Sequence, residues 1–353
     1  MHIIKNERPF WQTLVIKAIA IVLALLVSAL FIIVLTGLDP LAVFKATIKG
    51  TFSSSRRFFS VMRDASFLFM IALGLTPAFK MNFMNNGAEG QVLIGALGTA
   101  AVMINLAGKV SNLVLLMLML VTALILSMLW GAIPAFFKVR YGTNETLFTL
   151  MMNYIAMQIV EFCIDLWDKK QSHVIGVINS DSTAGWLPSL FGNQYMIVFI
   201  ATLLMAVIIH IYMNYSKQGY EIEVVGESHK TAKYAGINVN AVTVRTVIIS
   251  AMICGMAGFF NVSGISHTLS ASTAGGKGFT AIIVVWLGKF NVIAMALISF
   301  MLQFLSKGAM QIASDFNLND YIANIVVAII LFFIIASEFF CSYSIVRSGK
   351  EEK

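Results

Sequence analysis

Apolar residues arrive in this chain in blocks of about 20, the length of helix that crosses a hydrocarbon core about 30 Å thick. The blocks recur from end to end, at 12–36, 63–79, 90–107, 112–137, 146–167, 195–214, 243–265, 278–288, 291–309 and 321–341. Of the 353 residues, 59% are hydrophobic and only 12% are charged, whereas a water-facing domain carries about 25% charged residues. Helices satisfy their own backbone groups in lipid. The fold class is therefore an all-α polytopic membrane protein of about ten transmembrane segments. Segment 278–288 is too short to span at about 1.5 Å per residue and reads as a half-helix or re-entrant piece.

The first block, 11–35, exceeds the about 7–15 apolar residues of a secretory signal and reads as a retained helix. A net charge of +7 raises the question of a nucleic-acid partner. The basic residues form no stripe or arm, however, and sit at loop ends. With residues 1–11 in the cytoplasm, the inner side gathers the larger share, including Lys80, Lys138, Arg140, Lys217, Lys230, Lys233 and Arg245. The outer side takes Arg56, Arg57, Arg63, Lys109 and Lys277, among others. This bias places both termini, with the 342–353 tail, in the cytoplasm. Cys163, Cys254 and Cys341 lie in or beside apolar blocks without metal-ligand spacing and read as small buried hydrophobes.

Between the spans, loops 37–62 and 168–194 fall outside. The second carries Trp186, Leu187, Leu190 and Phe191, suited to lying flat at the interface. Loop 215–242 falls inside. Its residues 220–225 have extended character, and a short helix follows within 226–236, with Ser228 as N-cap and Gly236 at its stop.

Two glycine-interrupted breaks carry the chemistry. The first is Asn85, Asn86, Gly87, Ala88, Glu89, Gly90 and Gln91, inside an otherwise apolar stretch. A carboxylate and amides at membrane depth are costly unless they face protein or water, although an ordinary turn between spans fits the same residues. The second break is 274–279. Each follows one span and precedes three more apolar segments, in opposite orientation, as in an inverted-topology repeat whose paired breaks mark a solute path. Near the second, Gly275, Gly276, Lys277 and Gly278 look like a phosphate loop, but the full G-x-x-x-x-G-K-[S/T] pattern occurs nowhere in the chain.

Asn144 precedes a third polar feature. Glu145, Thr149 and Asn153 recur every four residues and share one helix face. That stripe lines a path or makes interhelical hydrogen bonds. The five histidines are scattered, H-E-x-x-H and G-x-S-x-G are absent, and no acidic pair deep in the bilayer looks like a proton relay. Hydrolase and proton-driven carrier readings are correspondingly disfavoured.

Four motifs follow one another in register: Asn85 with Gly87 to Gln91; Gly142 to Glu145 with Met152, Asn153 and Tyr154; Gly219 and Tyr220 with Val225 to Glu227 and Ala232, Tyr234 to Asn238; and Gly278 to Thr280. Over 12–341 the chain resembles permease subunits of bacterial ABC importers of the ribose, branched-chain amino acid and nucleoside branch, nearest to the nucleoside type. Met84 and Asn86 replace that family's usual Phe and Ile, and Ser228–His229 its Asn-Pro. The resemblance implies one permease domain over 12–341 in the bacterial plasma membrane. It implies a second permease subunit, the same or paralogous, two cytoplasmic ATPases that use ATP and Mg, and an extracytoplasmic binding lipoprotein. No cofactor is expected in this chain, and no catalysis. The expected solute is a nucleoside, with a ribose-type sugar as alternative; an ion-coupled carrier is the rival class. Solute-path candidates are Asn85, Asn86, Glu89, Gln91, Asn144, Glu145, Thr149, Asn153, Phe279 and Thr280. Gly226, Glu227, Ala232, Tyr234, Ala235 and Gly236 are the expected ATPase-docking residues.

Overall fold

The computed structural model describes residues 2–5, 10–168, 175–190 and 192–346. In chain order these form β1 (His2–Lys5), α1 (Phe10–Thr36), α2 (Pro40–Phe52), α3 (Ser55–Lys80), α4 (Ala88–Leu106), α5 (Asn112–Tyr141) and α6 (Glu145–Trp167). There follow α7 (Met196–Tyr215), α8 (Lys217–Glu227), α9 (His229–Tyr234), α10 (Val239–Asn261) and a π-helical turn, Val262–Ser266. The chain continues as α11 (Lys277–Leu287), α12 (Val292–Phe316), α13 (Asp320–Ser342) and β2 (Tyr343–Val346). Among the described residues, 8 helices are long and apolar enough to cross a bilayer: α1, α3, α4, α5, α6, α7, α10 and α12. Lys277–Leu287 and Ile325–Cys341, within α13, are shorter apolar stretches. Every apolar block marked in the sequence is thus helical.

The chain packs as two compact units, Met1–Val61 with Met301–Lys353, and Met62–Phe300. In the first, α1 lies against α13 and α2, around Ile32, Val43, Ala46, Ile312 and Val326. The 37–62 stretch is helical rather than a loop. Asp39 caps α2 by accepting the Leu41 N–H, and Pro40 occupies the position where a missing N–H is tolerated. The first unit's helices are further tied by Lys49–Asp315 and by Arg57 donating to Gln311. Strands β1 and β2 pair antiparallel, His2 opposite Val346.

The second unit is organised by α4, α5 and α10. Lipid offers no hydrophobic drive for association, so close backbone approach through small residues carries the packing. A Cβ on Gly95 would fall 2.5 Å from the Gly255 carbonyl oxygen, and one on Gly258 would strike the Val92 carbonyl. Gly131 faces Ala251 in the same way. The apolar windows of α4 and α10 are 67% and 72% buried, against 22% and 28% for α5 and α7. Helices α4 and α10 are therefore interior, while α5 turns Leu113, Met117 and Val121 outward.

Two loop expectations are corrected. Residues 175–190 fold down onto the π-helical turn instead of lying flat. Ile178 donates its N–H to the His267 carbonyl, Leu187 to Ser263, and the Trp186 ring stacks on His267 at 3.9 Å. Burial lowers the His267 pKa, a backbone hydrogen bond to Val262 partly opposing it. Leu190 is exposed, and Phe191 lies outside the described residues. Residues 220–225, read as extended, belong to α8. Gly219, Ile222 and Val225 form its buried face at helical spacing, and Glu221–Arg245 and Lys80–Glu223 ion pairs fix its flanks.

Candidate functional site

Helix α3 ends at Lys80, and the chain turns back into the unit as a coil, 81–87, before α4 begins. Every amide of that coil must find a partner away from water. Asn85 supplies four of the bonds. Its side-chain amide donates to Gln91 Oε1 (3.2 Å) and Ser250 Oγ (3.1 Å), and its carbonyl accepts from Gly87 N–H (3.1 Å) and Gln91 Nε2 (3.2 Å). Backbone carbonyls of α3 and of the coil itself take the N–H groups of Met81, Asn82, Phe83, Asn85 and Asn86, and the polar face of α6 adds more. Thr149 Oγ1 accepts the Asn86 N–H (3.1 Å), while Asn153 accepts from Gly90 N–H and donates to the Asn86 carbonyl, both at 2.8 Å. Ser127 of α5 donates to the Gln91 carbonyl. Asn85, Gln91, Thr149 and Asn153 are all fully buried.

Ser250, which Asn85 contacts, stands about 16 Å along α10 from Val239, and Thr149, which Asn86 contacts, stands about 6 Å along α6 from Glu145. The 81–87 coil therefore runs inward alongside α6 and α10, and α4 starts within the unit.

Helix α11 starts beside it. Glu89, in the first turn of α4, accepts the Gly276 N–H on Oε1 and the Gly278 N–H on Oε2, each at 2.7 Å. Gly276 caps α11 and Gly278 lies in its first turn. One carboxylate thus joins the N-terminal ends of two helices, where backbone N–H groups and helix dipoles favour negative charge. Glycine is required at the contact: a Cβ on Gly278 would sit 2.5 Å from the Glu89 nitrogen, and Gly276 holds φ at +72°. At about 16 Å, α11 covers only half the core. The two sequence breaks meet at this junction.

Around the carboxylate lies a charged group that the sequence did not reveal. Lys277 stands 3.9 Å from Asp64 and 4.8 Å from the centre of the Phe67 ring. Asp64 also accepts from Arg63 Nε at 2.8 Å, and the Arg63 guanidinium lies over the Tyr195 ring. Arg63 and Lys277, counted as outer-loop charges in the sequence, belong to this network. Their signal was local: Asp64 directly follows Arg63 at the head of an apolar block, and Lys277 sits inside a glycine run. Asn261 was also missed; it donates to the Thr273 carbonyl and ties down the 267–276 return segment.

Of the solute-path candidates, Asn85, Asn86, Glu89, Gln91, Thr149 and Asn153 come together here. Asn144 and Glu145 do not. Asn144 caps α6 by accepting the Thr146 and Leu147 N–H groups, and Glu145 pairs with Lys138 at 2.6 Å. Thr280 bonds back to the Gly276 carbonyl, and Phe279 is exposed on α11.

The docking candidates lie at the ends of α8 and in α9. Gly226 abuts the Lys80 carbonyl so closely that a Cβ would clash, and its own carbonyl accepts from Asn82 at 2.5 Å. Glu227 closes α8 and is exposed. Ser228 caps α9 by accepting the Thr231 N–H, and Gly236 ends the turn at φ +75°. Ala232 is buried and Ala235 exposed, while Tyr234 projects with 93% of its surface free.

Residues 57–335 match the family described as the branched-chain amino acid transport system permease component. The chain belongs to that family. It is 30% identical over 331 residues to the guanosine ABC transporter permease protein NupP of Bacillus subtilis, covering 92% of this chain and 93% of the relative. It is 25% identical over 348 residues to the glucose ABC transporter permease protein TsgB13 of Haloferax volcanii, covering 96% and 91%. The nucleoside ABC transporter permease protein NupB of Lactococcus lactis matches at 24% over 334 residues, covering 92% and 91%. This permease is the transmembrane transport subunit of an ATP-binding-cassette importer, a multi-pass membrane protein.

Proposed function

We propose that this permease carries an uncharged nucleoside across the bacterial plasma membrane. Guanosine and nucleoside permeases among its relatives support the solute class. The observation that carries the reading to the residues is the Glu89 junction. In transporters, half-helix N-termini at mid-depth commonly face an anionic solute. Here the chain's own side chains serve both ends, Glu89 at the start of α11 and Asn153 at the Gly90 N–H of α4, which favours a neutral solute over a nucleotide. A second reading, a neutral sugar such as glucose, draws on the glucose permease relative.

In this reading the solute arrives from an extracytoplasmic binding lipoprotein and passes a second permease subunit paired with this one. Cytoplasmic ATPases, with ATP and Mg, grip Tyr234, Ala235 and the glycine-bounded α9. Movement of α8 reaches the junction through Asn82, which donates to Gly226 and begins the coil that leads to Asn85 and Glu89. Glu89 acts as a latch between α4 and the short α11, and the 85–91 and 274–279 breaks correspond to one another in an inverted repeat. Both termini lie in the cytoplasm; the pairing of β1 with β2 supports their sharing one side. The test is competition in whole cells. Unlabelled guanosine and cytidine should suppress permease-dependent uptake of labelled guanosine, whereas glucose and guanosine monophosphate should not. Suppression by glucose alone would transfer the assignment to sugars.

A further inference from the structure

Beneath α9 lies a cavity of about 240 Å³ that neither the junction nor the exposed Tyr234 uses. Its polar lining comes from five segments: Asn82 of the coil, Lys138 at the end of α5, Glu145 at the start of α6, His229 and Lys233 of α9, and Asn240 in the first turn of α10. His229 and Lys233 are four residues apart and share a helix face. Ala232 is buried and Tyr234 projects into solvent. Helix α9 therefore shows one side to the cavity and another to whatever docks on it.

The charge balance of the cavity is positive. Glu145 is already paired with Lys138 at 2.6 Å. Lys233 adds a cation beyond that pair, and the start of α10 adds the positive end of a helix of 23 residues. His229 offers an N–H donor in either protonation state. The volume is below the about 300–1,000 Å³ of drug-sized sites and suits a phosphate with a small polar appendage. The cavity also sits where α5, α6 and α10 reach one membrane face, the level at which anionic headgroups attract basic side chains.

We propose that this cavity binds a phosphate group, presented by an anionic phospholipid headgroup or by a free phosphate compound, and that its occupancy sets the position of α9. The second half rests on α9 being the docking element; the binding itself does not. The experiment uses the purified full chain in nanodiscs of phosphatidylcholine alone or with phosphatidylglycerol, without ATPase. Ribose 5-phosphate is titrated by 31P NMR, and retained lipid is read by native mass spectrometry. Lys233→Gln should weaken binding about tenfold, the loss expected for one charge-assisted contact, and Lys233→Arg should restore it. Lys217→Gln, a charge-matched change on α8 away from the cavity, should have no effect. Ribose 5-phosphate binding in phosphatidylcholine discs with this pattern assigns a free phosphate. Selective phosphatidylglycerol retention with the same pattern assigns the lipid. No binding of either probe, or equal losses in Lys233→Gln and Lys217→Gln, would overturn the proposal. Co-purification of the ATPase with Tyr234→Ala tests the docking reading separately: ATPase retained alongside intact phosphate binding removes the docking role and leaves the cavity assigned.

Discussion

Replacing Glu89 by Gln preserves the side chain's shape and removes its charge. The carboxylate accepts two backbone N–H groups at 2.7 Å, one from Gly276 and one from the buried Gly278. Hydrogen bonds to a charged group contribute about 1.5–3 kcal/mol each, and neutral ones about 0.5–1.5. A glutamine oxygen can serve Gly278, but its NH2 then faces the Gly276 N–H, which is exposed enough to turn to water. One charged bond is weakened and one is lost, a difference of about 2.5–4.5 kcal/mol. Relief from burying a carboxylate offsets part of this, leaving about 2 kcal/mol. That is about thirtyfold in the balance between joined and separated α4 and α11 ends. The assay measures initial uptake into proteoliposomes together with the melting temperature of the purified variant. A latch that closes and opens during transport predicts a loss of uptake of at least about tenfold with near-normal insertion and a small change in melting. Uptake equal to wild type, or a fall matched by an equal loss of folded protein, would refute the gating role and make Glu89 purely structural.

Gly278→Ala should imitate that phenotype, because the added Cβ meets backbone atoms of Glu89 rather than a movable side chain; uptake and melting are again the readouts. Tyr234→Ala should leave melting within about 0.5 kcal/mol of wild type, since the ring is exposed, while solute-stimulated ATP hydrolysis is lost; normal stimulation would remove α9 from docking. Gly255→Leu should destabilise the α5–α10 contact by about 3 kcal/mol or more, because even a Cβ strikes Ser127, seen as reduced insertion and a lower melting temperature. His267 has its pKa lowered by burial, so the folded state binds fewer protons than the unfolded one. The hold of residues 175–190 on the π-helical turn is full above the ordinary histidine value near 6.5 and declines as pH falls below it. The Trp186 fluorescence, reporting the stacked ring, should follow that decline, and His267→Gln should flatten it.

The helices were legible because lipid demands apolar stretches of a set length, and each of the marked blocks is helical. The helix starts were legible at the glycines: Gly87, Gly90 and Gly278 mark close approach of neighbouring atoms, and Gly276 a left-handed turn. Spacing alone also put Thr149 and Asn153 on one face. It extended that face one turn too far, to Glu145, because periodicity does not see Lys138 arriving from the neighbouring helix. Residues 220–225 alternate polar and apolar as a strand would, but burial of Ile222 and Val225 and two ion pairs from α3 and α10 decide for helix. The Arg63, Asp64 and Lys277 group was hidden for a different reason. Charge counting assigns basic residues near span ends to water, and only the folded chain brings Lys277 to Asp64 across more than 200 positions.

The most direct measurement is uptake of labelled guanosine by the permease reconstituted with its ATPase and binding protein in sealed proteoliposomes. ATP on the ATPase side should drive accumulation above the outside concentration, with no uptake when ATP is withheld or replaced by a non-hydrolysable analogue. Accumulation that persists without ATP and follows an imposed ion gradient would contradict the account.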